Sequence, residues 1–413
     1  MFKKKFHTLI KRFLAGTLCL GLLASQPAVA YATEANVSVT PEAAHSATYS
    51  QAADTDSVKG WPSGPCIEGQ SAVLMDAVTD TILYSKNADD KLYPASITKI
   101  MTALLACENL KLSDTITMSQ EAAYGIEAGS STIYAETDEV FTVEQALMAL
   151  MLESANEMAL ALAEKTSGSV KKFVELMNQR AAQLGCKNTH FNNPNGLPDE
   201  THYTTASDMM KIAKAAWYNP LFRKFVTTQT YEIPPTNKQS ETRYLLNHHK
   251  MMAGQSYAYD GVLGGKTGYT NDAGNTLVTY AKRGNSILIA VVLNSTNGAF
   301  PDTTSLFDYG FDNFEKVDLN VDSDPVPTKF LPSEKYLLKN NGNTYPFYYM
   351  RHVYVTVPTG TDVSTLTRKQ WLLNNSIGPK RIKSKYYFHD HMVGYGMQYE
   401  KEILSDLLLN TSF

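Results

Sequence analysis

Pro94-Ala95-Ser96-Ile97-Thr98-Lys99 is the stretch around which this chain is read. It runs into an apolar segment where Ile97, Ile100, Met101, Leu104 and Leu105 recur at three- and four-residue spacing, which marks one buried helix face. Pro94 disfavours helix just before it, so a helix is expected to begin at or near Ser96. Ser96 and Lys99 are three apart and so share a face of its first turn. A serine there has free backbone N–H groups nearby and the positive end of the helix macrodipole beneath it. A lysine one turn on, once dehydrated, loses much of its preference for the proton and can act as a base. That pairing activates a hydroxyl without histidine.

The segments around this helix predict a helical cluster and an antiparallel sheet. Ser71–Met75 and Thr81–Tyr84 read as a hairpin bridged by Asp76 to Asp80. Thr142-Val143-Glu144-Gln145 is a capping box opening an almost wholly apolar helix through Ala146 to Met151. That helix stops at Glu153-Ser154-Ala155-Asn156, and a second apolar helix runs on. Ser169 starts another, ending at Gly185, and Thr205 caps one over Ala206–Tyr218 that Asn219-Pro220 stops. Asn192 to Pro198 reads as a loop. From Val262 to Leu293 the pattern becomes antiparallel strands with tight turns, and Asp302 to Tyr309 suggests a helix closing against them. Glycines around Lys266 leave a strand edge open to a ligand backbone. The fold class is therefore α+β over residues 61–315, with Ser96 at the junction of helices and sheet. Short alternating runs broken by Pro and Gly predict a small, mostly β domain over 316–413.

At the N-terminus, Lys3, Lys4, Lys5, Lys11 and Arg12 precede an apolar core from Phe13 to Ala24, and Ala28-Val29-Ala30 is a small-x-small cleavage site. Residues 1–30 thus read as a signal peptide, so the mature protein is expected to work outside the cytoplasmic membrane. Residues 31–60, rich in Ala, Thr, Ser and acid, read as a flexible linker. A net charge of −4 implies neither nucleic acid nor an anionic membrane as partner. The end, Ile403 to Asn410, is too short to span a bilayer and has no basic face, which leaves membrane attachment open. Of four cysteines, Cys19 leaves with the signal; Cys66, Cys107 and Cys186 cannot all pair within one chain, and Cys107 reads as a buried apolar residue. His202 reads as loop-fixing. His389-Asp390-His391 lacks the further ligands a metal would need.

Singly, the chemical motifs are weak. Ser169-Val170-Lys171-Lys172 is a second Ser-x-x-Lys and Ser295-Thr296-Asn297 a second Ser-x-Asn. The set is specific: Ser96-x-x-Lys99 at a helix start, Ser154-x-Asn156 at a break between buried helices, Lys266-Thr267-Gly268 on a strand flanked by glycine. That order and context resemble the penicillin-recognising serine enzymes, and more closely the D-alanyl-D-alanine carboxypeptidases, the low-molecular-weight penicillin-binding proteins. Further matches are Asn192 to Leu197, His202 to Ala206, and Gly264 to Thr270 followed by Ala273-Gly274. Ala155 departs only at the variable middle position of the second motif.

The resemblance implies a serine β-lactamase/transpeptidase-like fold over about residues 65–315. It also implies a serine-type carboxypeptidase that removes the terminal D-alanine of peptidoglycan stem pentapeptides and is trapped by β-lactams. By the same resemblance Ser96 is the nucleophile and Lys99 takes its proton. Ser154 relays a proton to the leaving D-alanine or orients Lys99, and Asn156 holds the substrate amide. Lys266 and Thr267 bind the terminal carboxylate. The backbone N–H groups of Ser96 and Tyr269, beside Gly268, form the oxyanion hole. No metal or organic cofactor is needed. Two alternatives stand beside it. A serine β-lactamase of the class A type would carry a Glu-x-x-Leu-Asn loop, which is absent between Asn156 and Lys266, where Glu175-Leu176-Met177-Asn178 has the wrong spacing. The other is a non-catalytic penicillin-binding wall protein.

Overall fold

The computed structural model describes residues 46–319, 347–349, 352–373 and 381–400. The expected signal peptide (1–30), the first part of the expected linker (31–45) and the C-terminal run from Ile403 lie outside the described residues.

The hairpin β1 (Gly69–Asp76) and β2 (Thr81–Lys86) leads to a 3-10 turn at Ala95–Thr98 and helix α1 (Lys99–Asn109). A ribbon of β3 (Thr115–Thr117) and β4 (Val140–Thr142) brackets α2 (Gln120–Tyr124). Five helices follow: α3 (Val143–Leu152), α4 (Asn156–Ser167), α5 (Val170–Gln183), α6 (Ala206–Tyr218) and α7 (Pro220–Val226). A second ribbon, β5 (Thr230–Ile233) with β6 (Arg243–Leu246), precedes β7 (Val262–Thr270), β8 (Gly274–Arg283), β9 (Ser286–Ser295) and α8 (Ala299–Asn313). The remaining strands are β10 (Phe314–Asp318), β11 (Phe347–Tyr349), β12 (Tyr354–Pro358), β13 (Thr367–Leu373), β14 (Arg381–Phe388) and β15 (His391–Glu400).

The central sheet has the order β2-β1-β9-β8-β7, antiparallel throughout, with β7 at one edge. The strand period of two sorts its side chains between two cores. Val73, Met75, Ile289, Val291 and Leu293 face the helical cluster. Ala72, Leu74, Leu288, Ala290 and Val292 face α8 and the C-terminal sheet. Burial on both faces is why Ile287–Leu293 is apolar almost without interruption. The expected fold is thus present: a sheet flanked by helices, followed by a separate antiparallel sheet of order β10-β12-β15-β14-β13, with β11 on β15.

Local signals act as their chemistry dictates. Thr142 and Gln145 exchange side-chain-to-backbone hydrogen bonds at 3.2 and 2.8 Å, starting α3 inside the core. Ser169 and Thr205 accept from the third residue of α5 and α6. Asn219 ends α6 and also caps α7, its Oδ1 accepting from the Leu221 and Phe222 N–H groups, with Pro220 at the first helical position. The Asn-Pro pair therefore restarts a helix as well as stopping one.

The linker expected over 31–60 is corrected over its second half. From Ser46 the chain is folded onto the body: Ser46 N–H donates to Glu68 Oε2 at 2.7 Å, Asp54–Ser57 form a 3-10 turn, and Ala53, Thr55 and Trp61 are buried. The cause is Trp61. Its indole N–H donates to Leu83 O at 2.9 Å, and its ring lies 4.9 Å from Phe314 and 4.5 Å from His391. One large apolar residue thus ties a polar segment to both sheets. The cysteines Cys66, Cys107 and Cys186 are free, and Cys107 is buried. No helix among the described residues is long and apolar enough to cross a membrane.

Candidate active site

Ser96 sits within the 3-10 turn, and α1 proper begins at Lys99, slightly later than the spacing predicts. The difference matters chemically. A 3-10 turn has three residues per turn, so side chains three apart eclipse, and Lys99 Nζ lies 2.9 Å from Ser96 Oγ. Ala95 holds a left-handed φ of +50°, a costly conformation for a residue with a Cβ. It is wedged by Gly196, where a Cβ would come within 1.9 Å of Ala95 O. On the other side Thr276 Oγ1 donates to Pro94 O at 2.8 Å, tying the turn to β8.

Lys99 is wholly buried. Burial, then repulsion from Lys266, push its ammonium well below the ordinary lysine range, and Glu157 opposes them. A neutral amine has two protons and one lone pair. Asn156 Oδ1 and Asn195 O, both acceptors and both at 2.7 Å, take the two protons. Nζ also donates to Ser96 Oγ at 2.9 Å, so once that third proton is lost the lone pair points at the Ser96 hydroxyl. This is the arrangement a general base requires before the hydroxyl attacks.

Ser154 occupies the break between α3 and α4 with a φ of +60°. The chain reverses there between two buried helices, and the left-handed residue turns the hydroxyl out of the core. Ser154 Oγ accepts from Lys266 Nζ at 3.1 Å. Lys266 also donates to Thr267 O at 2.9 Å, and burial pushes its ammonium down to about 7. Lys266, Thr267, Gly268 and Tyr269 lie on the edge strand β7. A Cβ at Gly268 would come within 2.8 Å of Ser96 N and 2.4 Å of Thr276 Oγ1, so only glycine lets β7 lie this close to the turn. Ser96, Ser154, Thr267, Gly268 and Tyr269 line an open cavity of about 400 Å³, and Lys99, Asn156 and Lys266 reach its polar atoms from behind. All eight residues singled out in the sequence thus converge.

Further residues complete the site: the Asn192–Leu197 loop and the loop-fixing His202 are legible in the sequence, whereas Ser131 and Glu157 have no sequence signal of their own. Asn195 supplies a backbone carbonyl to Lys99, and its loop is held by His202. His202 Nδ1 accepts from Asn192 N–H at 3.0 Å, so its Nε2–H donates to Thr98 Oγ1 at 2.9 Å. Burial pushes this imidazole down to about 4, which keeps it neutral. The loop bearing Ser131, at the cavity rim, is bound to the start of α4. Asn156 N–H donates to Ser131 O at 2.9 Å, and Glu157 Oε1 accepts from Ile133 N–H at 2.6 Å and Thr132 Oγ1 at 2.7 Å. His248, paired with Glu153 at 3.0 Å, and Phe300, stacked on Tyr257, complete the walls. Among the described residues no group of three or more His, Cys, Asp or Glu could hold a metal ion. His391 spends its Nε2–H on Ile82 O.

A hydroxyl on a helical turn, a dehydrated amine against it and a glycine-spaced edge strand alongside are the layout of a serine acyl-transfer site. Within that class the chain belongs to peptidase family S11, D-alanyl-D-alanine carboxypeptidase, whose model matches residues 59–297. It is 39% identical over 255 residues to the D-alanyl-D-alanine carboxypeptidase DacF of Bacillus subtilis, covering 60% of this chain and 63% of that protein. It is 36% identical over 258 residues to a D-alanyl-D-alanine carboxypeptidase of Streptomyces, covering 60% of this chain and 88% of that one. The chain thus spans less than two thirds of the Bacillus relative. Among solved structures, the Streptomyces K15 DD-transpeptidase superposes with a TM-score of 0.56 at 33% identity, covering 60% of this chain and 99% of that one. Penicillin binding protein 5 from Haemophilus influenzae gives 0.67 at 26% identity, covering 81% of this chain and 97% of its own.

Proposed function

We propose that this protein is a serine D-alanyl-D-alanine carboxypeptidase acting on peptidoglycan stem peptides outside the cytoplasmic membrane. Lys99 accepts the Ser96 proton as Oγ attacks the carbonyl between the terminal D-alanines. Backbone N–H groups of Ser96 and Tyr269 take the oxyanion charge. Ser154 passes a proton to the departing D-alanine nitrogen, Asn156 holds the substrate amide, and Lys266 with Thr267 binds the terminal carboxylate. Water then attacks the ester, the proton returns to Ser96, and the shortened peptide leaves. A β-lactam enters as a mimic of the D-alanyl-D-alanine end and stays on Ser96.

The observation that carries this reading is the placement of Lys99 Nζ, buried, with two acceptors at 2.7 Å and Ser96 Oγ at 2.9 Å. The basic, apolar and Ala-x-Ala pattern of residues 1–30 supports export. A division near residue 315 into catalytic and β-rich domains is supported by the wider span matched by the Haemophilus structure than by the Streptomyces one. Against a β-lactamase stands the cavity wall, which carries no carboxylate among the described residues to activate a deacylating water.

Mass spectrometry tests the proposal. A stem pentapeptide mixed with the protein yields the tetrapeptide and free D-alanine, penicillin adds its mass to Ser96, and Ser96→Ala abolishes both. A pentapeptide left intact by the wild type, or an adduct mapped to another residue, refutes it. Rapid nitrocefin turnover replaces it with the β-lactamase reading.

A further inference from the structure

A second cavity, of about 970 Å³, lies between the β1–β2 hairpin, α6 and β14. It shares no lining residue with the Ser96 cavity. The edge strands that help line them, β7 and β2, are four strand spacings or roughly 19 Å apart. Its wall is basic: Lys187, Lys211, Lys214, Lys383 and Lys385 face Asp80, Asp89 and Asp208. Lys214 pairs with Asp80 and Lys211 with Asp208, whereas Lys187, Lys383 and Lys385 have no carboxylate partner among the described ion pairs.

The basic wall continues onto the open face of the C-terminal sheet. Register sets Lys369 opposite Lys385 and Trp371 opposite Lys383, and sets Tyr395 on the other side of Lys385. Directly opposed residues share a face, and like charges there cost stability. Rings alternate with the cations: Lys369 Nζ is 4.6 Å from the Tyr387 centroid, Lys383 Nζ 5.1 Å from Tyr395, and Lys385 Nζ 5.8 Å from Trp371. Trp371 is 39% exposed. A protein of net charge −4 thus concentrates cations on one face and spaces them with flat rings.

We infer that this cleft and sheet face form a second binding site for an acidic glycopeptide strand, namely the glycan whose stem peptides the Ser96 site trims. Lysines pair with the peptide carboxylates, and sugar C–H groups lie against the aromatic faces. This rests on the substrate class proposed above. The role is to hold the polymer, so that successive stem peptides meet Ser96 without dissociation.

Co-sedimentation of the full chain with purified, accessory-polymer-free peptidoglycan tests it. Lys383→Glu with Lys385→Glu should weaken binding about tenfold at low salt, Trp371→Ala should weaken it as well, and turnover of a short soluble peptide ending in D-alanyl-D-alanine should not change. Binding that survives all these substitutions, or that does not fall with added salt, overturns the site. A chain that cleaves no peptide yet still loses peptidoglycan binding on Lys383/Lys385 reversal refutes the catalytic reading and upholds this one. Circular dichroism and thermal unfolding matching the wild type show that the variants are folded, whether or not the chain turns over a short peptide.

Discussion

Lys266→Met should stabilise the protein at low pH and lose that advantage as pH rises. Burial pushes the Lys266 ammonium down to about 7 from an ordinary 10.5. Below pH 7 the folded and unfolded chains both hold the proton, and folding carries the full cost of dehydrating the charge, about 5 kcal/mol. Between 7 and 10.5 the unfolded chain holds one more proton, so stability from this group rises by roughly 1.4 kcal/mol per pH unit. Above 10.5 neither form is charged and the cost is gone. Methionine removes the charge at similar volume but leaves Ser154 Oγ and Thr267 O without their donor, a loss of about 2 kcal/mol. The variant should therefore be more stable by about 3 kcal/mol at pH 6, equal near pH 9 and less stable beyond. Loss of the Lys266 charge also relieves Lys99, which adds in the same sense at low pH. Urea unfolding of both proteins at pH 6, 7.5 and 9 measures the difference, and fluorescent penicillin reports the lost labelling. A stability difference constant with pH, or a variant weaker at pH 6, refutes the reasoning.

Gly268→Ala should remove penicillin labelling by at least tenfold, because its methyl would meet Ser96 N at 2.8 Å and push β7 off the turn. Circular dichroism should show the sheet intact, and an unchanged acylation rate would contradict the close approach. Glu157→Gln keeps the acceptor used by Ile133 and Thr132 but deletes the charge that raises the Lys99 proton affinity. The acid limb of the acylation rate should move to lower pH by on the order of one unit; a limb that stays put or moves up excludes that coupling.

Much of the site was legible because each of its parts serves a local rule as well as a chemical one. Pro94 marks a helix start, Ser154 an interruption between apolar runs, and the glycines about Lys266 an edge strand. What escaped was contact made through backbone or through distant packing. Asn195 acts through its carbonyl, which carries no side-chain signature. Glu157 reads as an ordinary acid in the first turn of α4, yet it is buried and clamps a loop from 131 to 133. Helix α7 was missed because Asn219-Pro220 signals both a stop and a start, and the turn between the two helices is a single residue. The segment from 46 to 60 looked unstructured by composition, since one tryptophan just beyond it supplies the anchor.

That tryptophan carries a consequence for how the molecule is assembled. Trp61 lies early in the chain, while Phe314, Phe388 and His391, which enclose its ring, come from the start and far end of the second sheet. Closing so long a loop costs chain entropy, and the full enclosure of the ring is complete only once the last strands are in place. The indole then works as a latch: chains cut short before β14 would keep Phe314 but lose Phe388 and His391, and the greater access of quenchers to the ring would mark them as incomplete even where the serine pocket has already formed.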